Sequence, residues 1–149
     1  RIDSSVNEVN SPTIAKERGI SYGEKYTENT QGYSNLIEVS VIGERTHFTM
    51  QATYVKEFGP RIVNLNGFNI DFYPHGHLLY IQHIDKPGVI GKVGQILGSY
   101  DMNIATMQVG RKEAGGEAIM MLSFDDPLND EAFNAIQEID DITSIKKID

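Results

Sequence analysis

The stretch from His77 to Gln108, HLLYIQHIDKPGVIGKVGQILGSYDMNIATMQ, reads as strand, tight turn, helix and second strand, with polar groups at both strand–loop junctions. A small-ligand pocket is built in this way. The first strand is apolar on both sides through Leu78, Leu79, Tyr80 and Ile81, then turns polar at His83 and Asp85 before Lys86-Pro87-Gly88. Pro87 fixes its own φ and removes a donor, and Gly88 tolerates unusual φ, so the helix starts there. That helix carries Gly88, Gly91, Gly94 and Gly98 near one face. Each glycine costs about 1 kcal/mol relative to alanine in a helix interior, so the stripe predicts close backbone approach to a sheet, a second subunit or a ligand. For Gly94 and Gly98 tight packing on a sheet is the expected use; at Gly88 and Gly91 free amides of the first turn favour an anion. A dinucleotide fingerprint needs G-x-G-x-x-G and an acidic residue closing the next strand. Here the spacing is G-x-x-G-x-x-G and the strand Asn103 to Arg111 ends in Arg-Lys, which excludes that reading.

Further along, Glu117 to Phe124 is a strand apolar on both faces, as a covered central strand is. Pro127 with Asn129 or Asp130 opens a second helix, whose Phe133, Ile136 and Ile139 recur at helical spacing, and Ile142, Ile145 and Ile148 suit a closing strand. Met107, Met120 and Met121 read as core filler. The break at Tyr73-Pro74-His75-Gly76 divides the chain into residues 1–74 and 75–149. In the first part Ser11 is the expected N-cap of a short helix through Arg18, with Pro12 as its first residue and Gly19 as its stop. Strands are expected at Ile20 to Thr27, Leu36 to Ile42 and Thr46 to Val55, and Asn66-Gly67 between Arg61–Leu65 and Phe68–Phe72 is the strongest hairpin signal. The fold class is α+β: a mostly-β first domain with one short helix, then strand, helix, strand, strand, helix, strand.

That second order, with an Asp before Lys-Pro-Gly-Val and Met-Asn-Ile opening the second strand, resembles an ACT domain, an amino-acid-sensing module of ferredoxin-like βαββαβ fold. The wording VNSPTIAKERGI, RIVNLNGFNIDF, HLLYIQHIDKPGVIGKVGQILG and MNIATMQVGRKEAGGEAIMMLSFDDP is similar to the C-terminal portion of the D-3-phosphoglycerate dehydrogenase family. In the longer bacterial form an intervening domain, proposed as an allosteric substrate site, precedes the ACT domain. The resemblance implies an NAD-dependent oxidoreductase of serine biosynthesis, cytoplasmic and homo-oligomeric as a dimer or tetramer. Its nucleotide-binding and catalytic parts would lie before Arg1, so this region would hold no catalytic residue and no cofactor of its own. L-serine would act as feedback inhibitor at an interface between ACT domains.

A free amino acid presents an ammonium, a carboxylate and a side chain, so its pocket needs an anion and N–H donors. Asp85 can supply the anion, and the amides of Val89, Ile90 and their neighbours after Gly88 the donors. His83 and Asn103 each offer a donor and an acceptor, which suits a hydroxyl. By resemblance, His83, Asp85 and Asn103 fall on the family's serine-holding positions, flanked by Gly88, Val89, Ile90 and Ile104, with Asp85 and Asn103 facing each other across a subunit interface; some members carry Asn in place of Asp85. The first domain's anion site is implied at Arg61, but Phe68 and Tyr73 stand where family arginines are expected. Two alternatives are a regulatory subunit of an L-serine dehydratase, which the VNSP and RIVNLNGF blocks oppose, and an oligomerisation module without ligand.

Composition narrows the remaining classes. The 149 residues are 40% apolar, enough for ordinary cores, and contain no cysteine, which excludes disulfides, thiolate metal sites and cysteine catalysis. Residues 77–149 hold six Lys/Arg against twelve Asp/Glu, a balance of −6, which makes a poor nucleic-acid surface. No apolar run approaches a membrane span and no signal peptide is visible. The pair His75-x-His77 lacks a third ligand, so no metal is expected, and Asp125-Asp126 and Asp140-Asp141 read as solvated charge pairs.

Overall fold

The computed structural model describes residues 5–148 and separates two compact units, residues 1–30 and 31–149. Among its described residues the first unit contains one helix, α1 (Ser11–Glu17), with Pro12 in its first turn. Asn10 stands at the N-cap, one residue before the expected Ser11. The shift follows from a local asparagine network: Asn7 Oδ1 accepts the Val9 and Asn10 amides, and Asn10 Oδ1 accepts the Asn7 amide. Gly19 stops the helix as expected, at φ +70°. Its amide bonds Lys16 O and that of Ile20 bonds Ala15 O, a paired C-terminal cap. The strand expected over Ile20 to Thr27 is not formed; these residues are irregular and exposed. Their alternation lacks a partner strand, without which the pattern cannot hold a ladder.

In the second unit, β1 (Ile37–Ile42), β2 (His47–Val55), β3 (Gly59–Leu65) and β4 (Phe68–Phe72) form an antiparallel meander in chain order. Asn66 and Gly67 have φ of +50° and +81°, the mirror-image turn that matches strand twist. Asn66 also donates its amide to Thr49 O and accepts the Thr49 amide at Oδ1, both at 2.9 Å, which ties the turn to β2.

After the break, β5 (His77–Ile84), α2 (Val89–Ser99), β6 (Ile104–Arg111), β7 (Glu117–Phe124), α3 (Asp130–Gln137) and β8 (Ile142–Ile148) follow. The sheet order is β6-β7-β5-β8, antiparallel throughout, the ferredoxin-like arrangement. Asn129 caps α3 by accepting the Ala132 amide at 2.7 Å. Strand alternation builds two cores. Leu79, Ile81, Met120 and Leu122 face the helices and meet Val89, Val93, Leu97, Ala132 and Ile136, with Met107 partly buried beside them. Leu78, Ile119 and Met121 face the other way and meet Ile62, Leu65, Phe68, Ile70 and Phe72 of the meander. Hence the central strand β7 is covered on both sides, as its sequence requires.

The glycine stripe behaves differently from its expected use. The sheet-facing side of α2 is Val89, Val93 and Leu97, at spacings of four. Apart from the adjoining residues and the helix's own backbone, nothing lies within 4 Å of where a Cβ would stand on Gly91, Gly94 or Gly98, so Gly94 and Gly98 are not packed on the sheet.

Candidate functional site

The end of β5, the Lys86–Gly88 turn and the first turn of α2 bring His83, Asp85 and a set of backbone amides together. His83 shares the helix-facing side of β5 with Leu79 and Ile81 and is 1% exposed. Its Nδ1 lies 2.9 Å from Ile84 O. A carbonyl only accepts, so Nδ1 carries a proton, which in the neutral ring leaves Nε2 as a bare acceptor. That Nε2 is buried and unpartnered. The ring therefore has an acceptor to spare but no free donor, one function fewer than its neutral form offers in principle. A buried acceptor left unpaired costs on the order of 1–3 kcal/mol, so a hydroxyl donor arriving there is favoured.

Asp85 is fastened from the β6–β7 side. Its amide donates to Gly116 O at 2.8 Å, while Oδ2 accepts from Arg111 Nη1 at 3.0 Å and from the Gly115 amide at 3.4 Å. The Arg111 hydrogen bond holds this carboxyl below the usual carboxylate range, against partial desolvation, with smaller help from Gly115, the Arg111 charge and His83. On the other flank Lys86 Nζ meets Asp141 Oδ1 at 2.6 Å, and Asp141 O accepts the Ile84 amide. Lys86 lowers the Asp141 carboxyl in the same manner. Asp141 is thus an ion-paired wall of the turn and not a solvated charge. Neither Arg111 nor Asp141 carried a local signal, because their partners lie 26 and 55 residues away.

Gly88 adopts φ +93° ahead of α2. The Val89 amide turns back to Lys86 O at 3.4 Å, and Lys92 bonds Gly88 O. The Ile90 and Gly91 amides remain as the orphan donors of the first turn, aligned with the positive end of the helix. Of the two amides named from sequence, that of Val89 is already engaged and that of Ile90 is open.

Asn103 lies elsewhere. It is exposed, just before β6, whose first residue Ile104 pairs with Phe124, as does His77 at the start of β5. Asp85 follows Ile84, which lies at the far end of β5, seven residues and about 23 Å along the strand from His77. Ile104 itself packs against the helix-side core. Within one chain Asn103 and Asp85 cannot share a ligand.

Arg61, on β3, donates from Nε to Asp71 Oδ1 at 2.6 Å, beside a shallow cleft of about 160 Å³ that includes Tyr73 and His75. Phe68 is buried, and the Lys112 ammonium sits 4.3 Å from its ring centroid. Arg61 is thus neutralised by a neighbouring carboxylate. Among the described residues, no group of three or more His, Asp or Glu is arranged to hold a metal. No helix among them is long and apolar enough to cross a membrane.

Residues 1–66 match the D-3-phosphoglycerate dehydrogenase intervening domain and residues 77–141 the ACT domain. A D-3-phosphoglycerate dehydrogenase of Bacillus subtilis is 62% identical over all 149 residues, which cover 28% of that protein. Those of Methanocaldococcus jannaschii and Synechocystis are each 39% identical, over 97% and 90% of this chain and 27% and 24% of their own lengths. The chain thus spans about a quarter of the length of these relatives. An α+β chain in which intervening-domain sequence precedes a ferredoxin-like ACT domain, similar over its full length to these enzymes, belongs to the D-3-phosphoglycerate dehydrogenase family, as its C-terminal intervening-plus-ACT region.

Proposed function

We propose that this chain is the effector-sensing region of an NAD-dependent, cytoplasmic D-3-phosphoglycerate dehydrogenase, and that L-serine binds at the start of α2. The division into an intervening domain over 1–74 and an ACT domain over 75–149 belongs to the same proposal. So does the view that this region is itself non-catalytic and acts on catalytic domains elsewhere in the protein. The observation that carries the reading is that residues 83–91 carry in succession a buried, unpartnered His83 Nε2, the Asp85 carboxylate and open helix amides. These suit, in turn, a hydroxyl, an ammonium and a carboxylate.

Asn103 fits the reading through a second copy. β6 is an outer strand of its sheet, with a row of unpaired backbone groups along it. Two-fold pairing of β6 with itself runs antiparallel and sets the Asn103 end of one copy against the Arg111–Asp85 end of the other. Serine then bridges two chains, and its effect on the enzyme is limited to its differential affinity for the two subunit arrangements. The serine dehydratase alternative gains no support from the relatives, which are named as dehydrogenases.

The test is calorimetric titration of the chain with L-serine, D-serine, glycine and L-alanine, together with sedimentation. The expected result is binding selective for L-serine by a dimer or tetramer. An oligomer that gives no heat with any L-amino acid would favour the ligand-free oligomerisation module instead, and a monomer that gives none would overturn both readings.

A further inference from the structure

Arg111 ends β6 with a side chain 61% exposed, yet its Nη1 is given to Oδ2 of Asp85 at 3.0 Å. The Gly115 amide approaches the same oxygen, and Oδ1 has no hydrogen-bond partner among the described residues. The remaining guanidinium N–H groups are likewise uncommitted there. An ion pair this exposed contributes little to stability. Its consequence lies in the field that it presents to a ligand.

Asp85 alone would attract any cation. With the guanidinium at hydrogen-bond distance the pair is a neutral dipole whose two ends are both open. An amine placed at Oδ1 gains attraction from Asp85 and loses it to repulsion from Arg111. A zwitterion gains at both ends: its ammonium bonds Oδ1, and its carboxylate, which the open α2 amides also attract, is drawn to the guanidinium.

We propose that Arg111 is a specificity-determining residue, and that the Asp85–Arg111 pair makes the effector pocket select an amino acid over the corresponding amine that lacks its carboxylate. This rests on the reading that Asp85 receives an effector's ammonium. Specificity here is a difference of two affinities, and Arg111 supplies its repulsive half as well as an attractive one.

The experiment is calorimetric titration of the chain, unsubstituted and as Arg111→Gln, Arg111→Met and Arg111→Lys, with L-serine and with ethanolamine, which is serine without its carboxylate. Thermal melting checks that each variant is folded, and two neutral variants guard against one failing to fold. The serine-to-ethanolamine affinity ratio is expected to fall about tenfold in the neutral variants and to recover most of its value in Arg111→Lys. A ratio unchanged or widened in a folded neutral variant overturns the proposal. A Lys variant that falls as far as the neutral ones overturns it too, because charge would not be the operative property. Absence of serine binding by the unsubstituted chain overturns the serine reading itself, and the role of Arg111 with it, whereas serine binding with an unchanged ratio removes Arg111 alone.

Discussion

His83 sets a function against stability within one side chain. Its Nε2 is buried without a partner while its Nδ1 proton is spent on the next residue's carbonyl. Replacing it with an apolar residue of similar size removes the unpaired acceptor, so His83→Leu is predicted to leave the melting temperature unchanged or to raise it while weakening L-serine binding several-fold. Thermal melting and titration of the same sample check both halves. Asp85→Ala is predicted to cost roughly tenfold or more in serine affinity and Asn103→Ala less, because only the first removes a charged partner. Gly110 is a purely steric case: a Cβ there would stand 2.5 Å from the Asn69 carbonyl oxygen, in the close approach of β6 to β4. Gly110→Ala is predicted to destabilise the chain by about 1–3 kcal/mol in urea denaturation, since neither backbone can yield cheaply. These sites differ in how far the sequence reveals them. His83 and Asp85 stand out as polar residues closing an apolar strand, but nothing near Gly110 or Arg111 announces a contact with a residue far along the chain.

The elements read most clearly from sequence are those whose signals are local. The Asn66-Gly67 turn, the Gly19 stop and the Asn129 cap each satisfy backbone groups within a few residues, so their residue types disclose them. The segment Ile20 to Thr27 misleads because alternation describes a strand only when another strand is there to pair with it. The α2 glycines mislead for a related reason: spacing groups them on a face but does not say which face the sheet takes, and Val89, Val93 and Leu97 took it. The α2 turn also fixes a pH response. Asp85 and Asp141, on its two flanks, are both held below the usual carboxylate range, by Arg111 and Lys86 respectively. A lowered folded value means that their stabilisation is fully present above about pH 4 and is lost as pH falls through the lowered value. The urea midpoint is therefore predicted to fall in acid as the pH drops through the lowered values, with a shallower acid limb in Asp141→Asn.

At the scale of the whole molecule, the sequence shows two strand-rich parts with a Pro-Gly break, and the structure adds that their sheets share a core. Leu78, Ile119 and Met121 spend one face of the ferredoxin-like sheet on the meander, a use that alternation alone leaves open. β1 shows the opposite situation. Ile37, Val39 and Val41 remain exposed, opposite Ala52, Met50 and Phe48 on β2. An exposed apolar edge strand is an aggregation template. Val39→Lys is accordingly predicted to improve solubility, measured by light scattering, without changing serine binding. The placement of Asp85 and Asn103 at opposite ends of one sheet has a consequence of a different kind. If each pocket takes one residue from either copy, two defective chains can repair each other. Pure Asp85→Ala and pure Asn103→Ala dimers each spoil both of their pockets. A hybrid dimer gathers the two defects into one pocket and leaves the other whole, so mixing two weak binders restores tight binding at up to half of the sites in the hybrid.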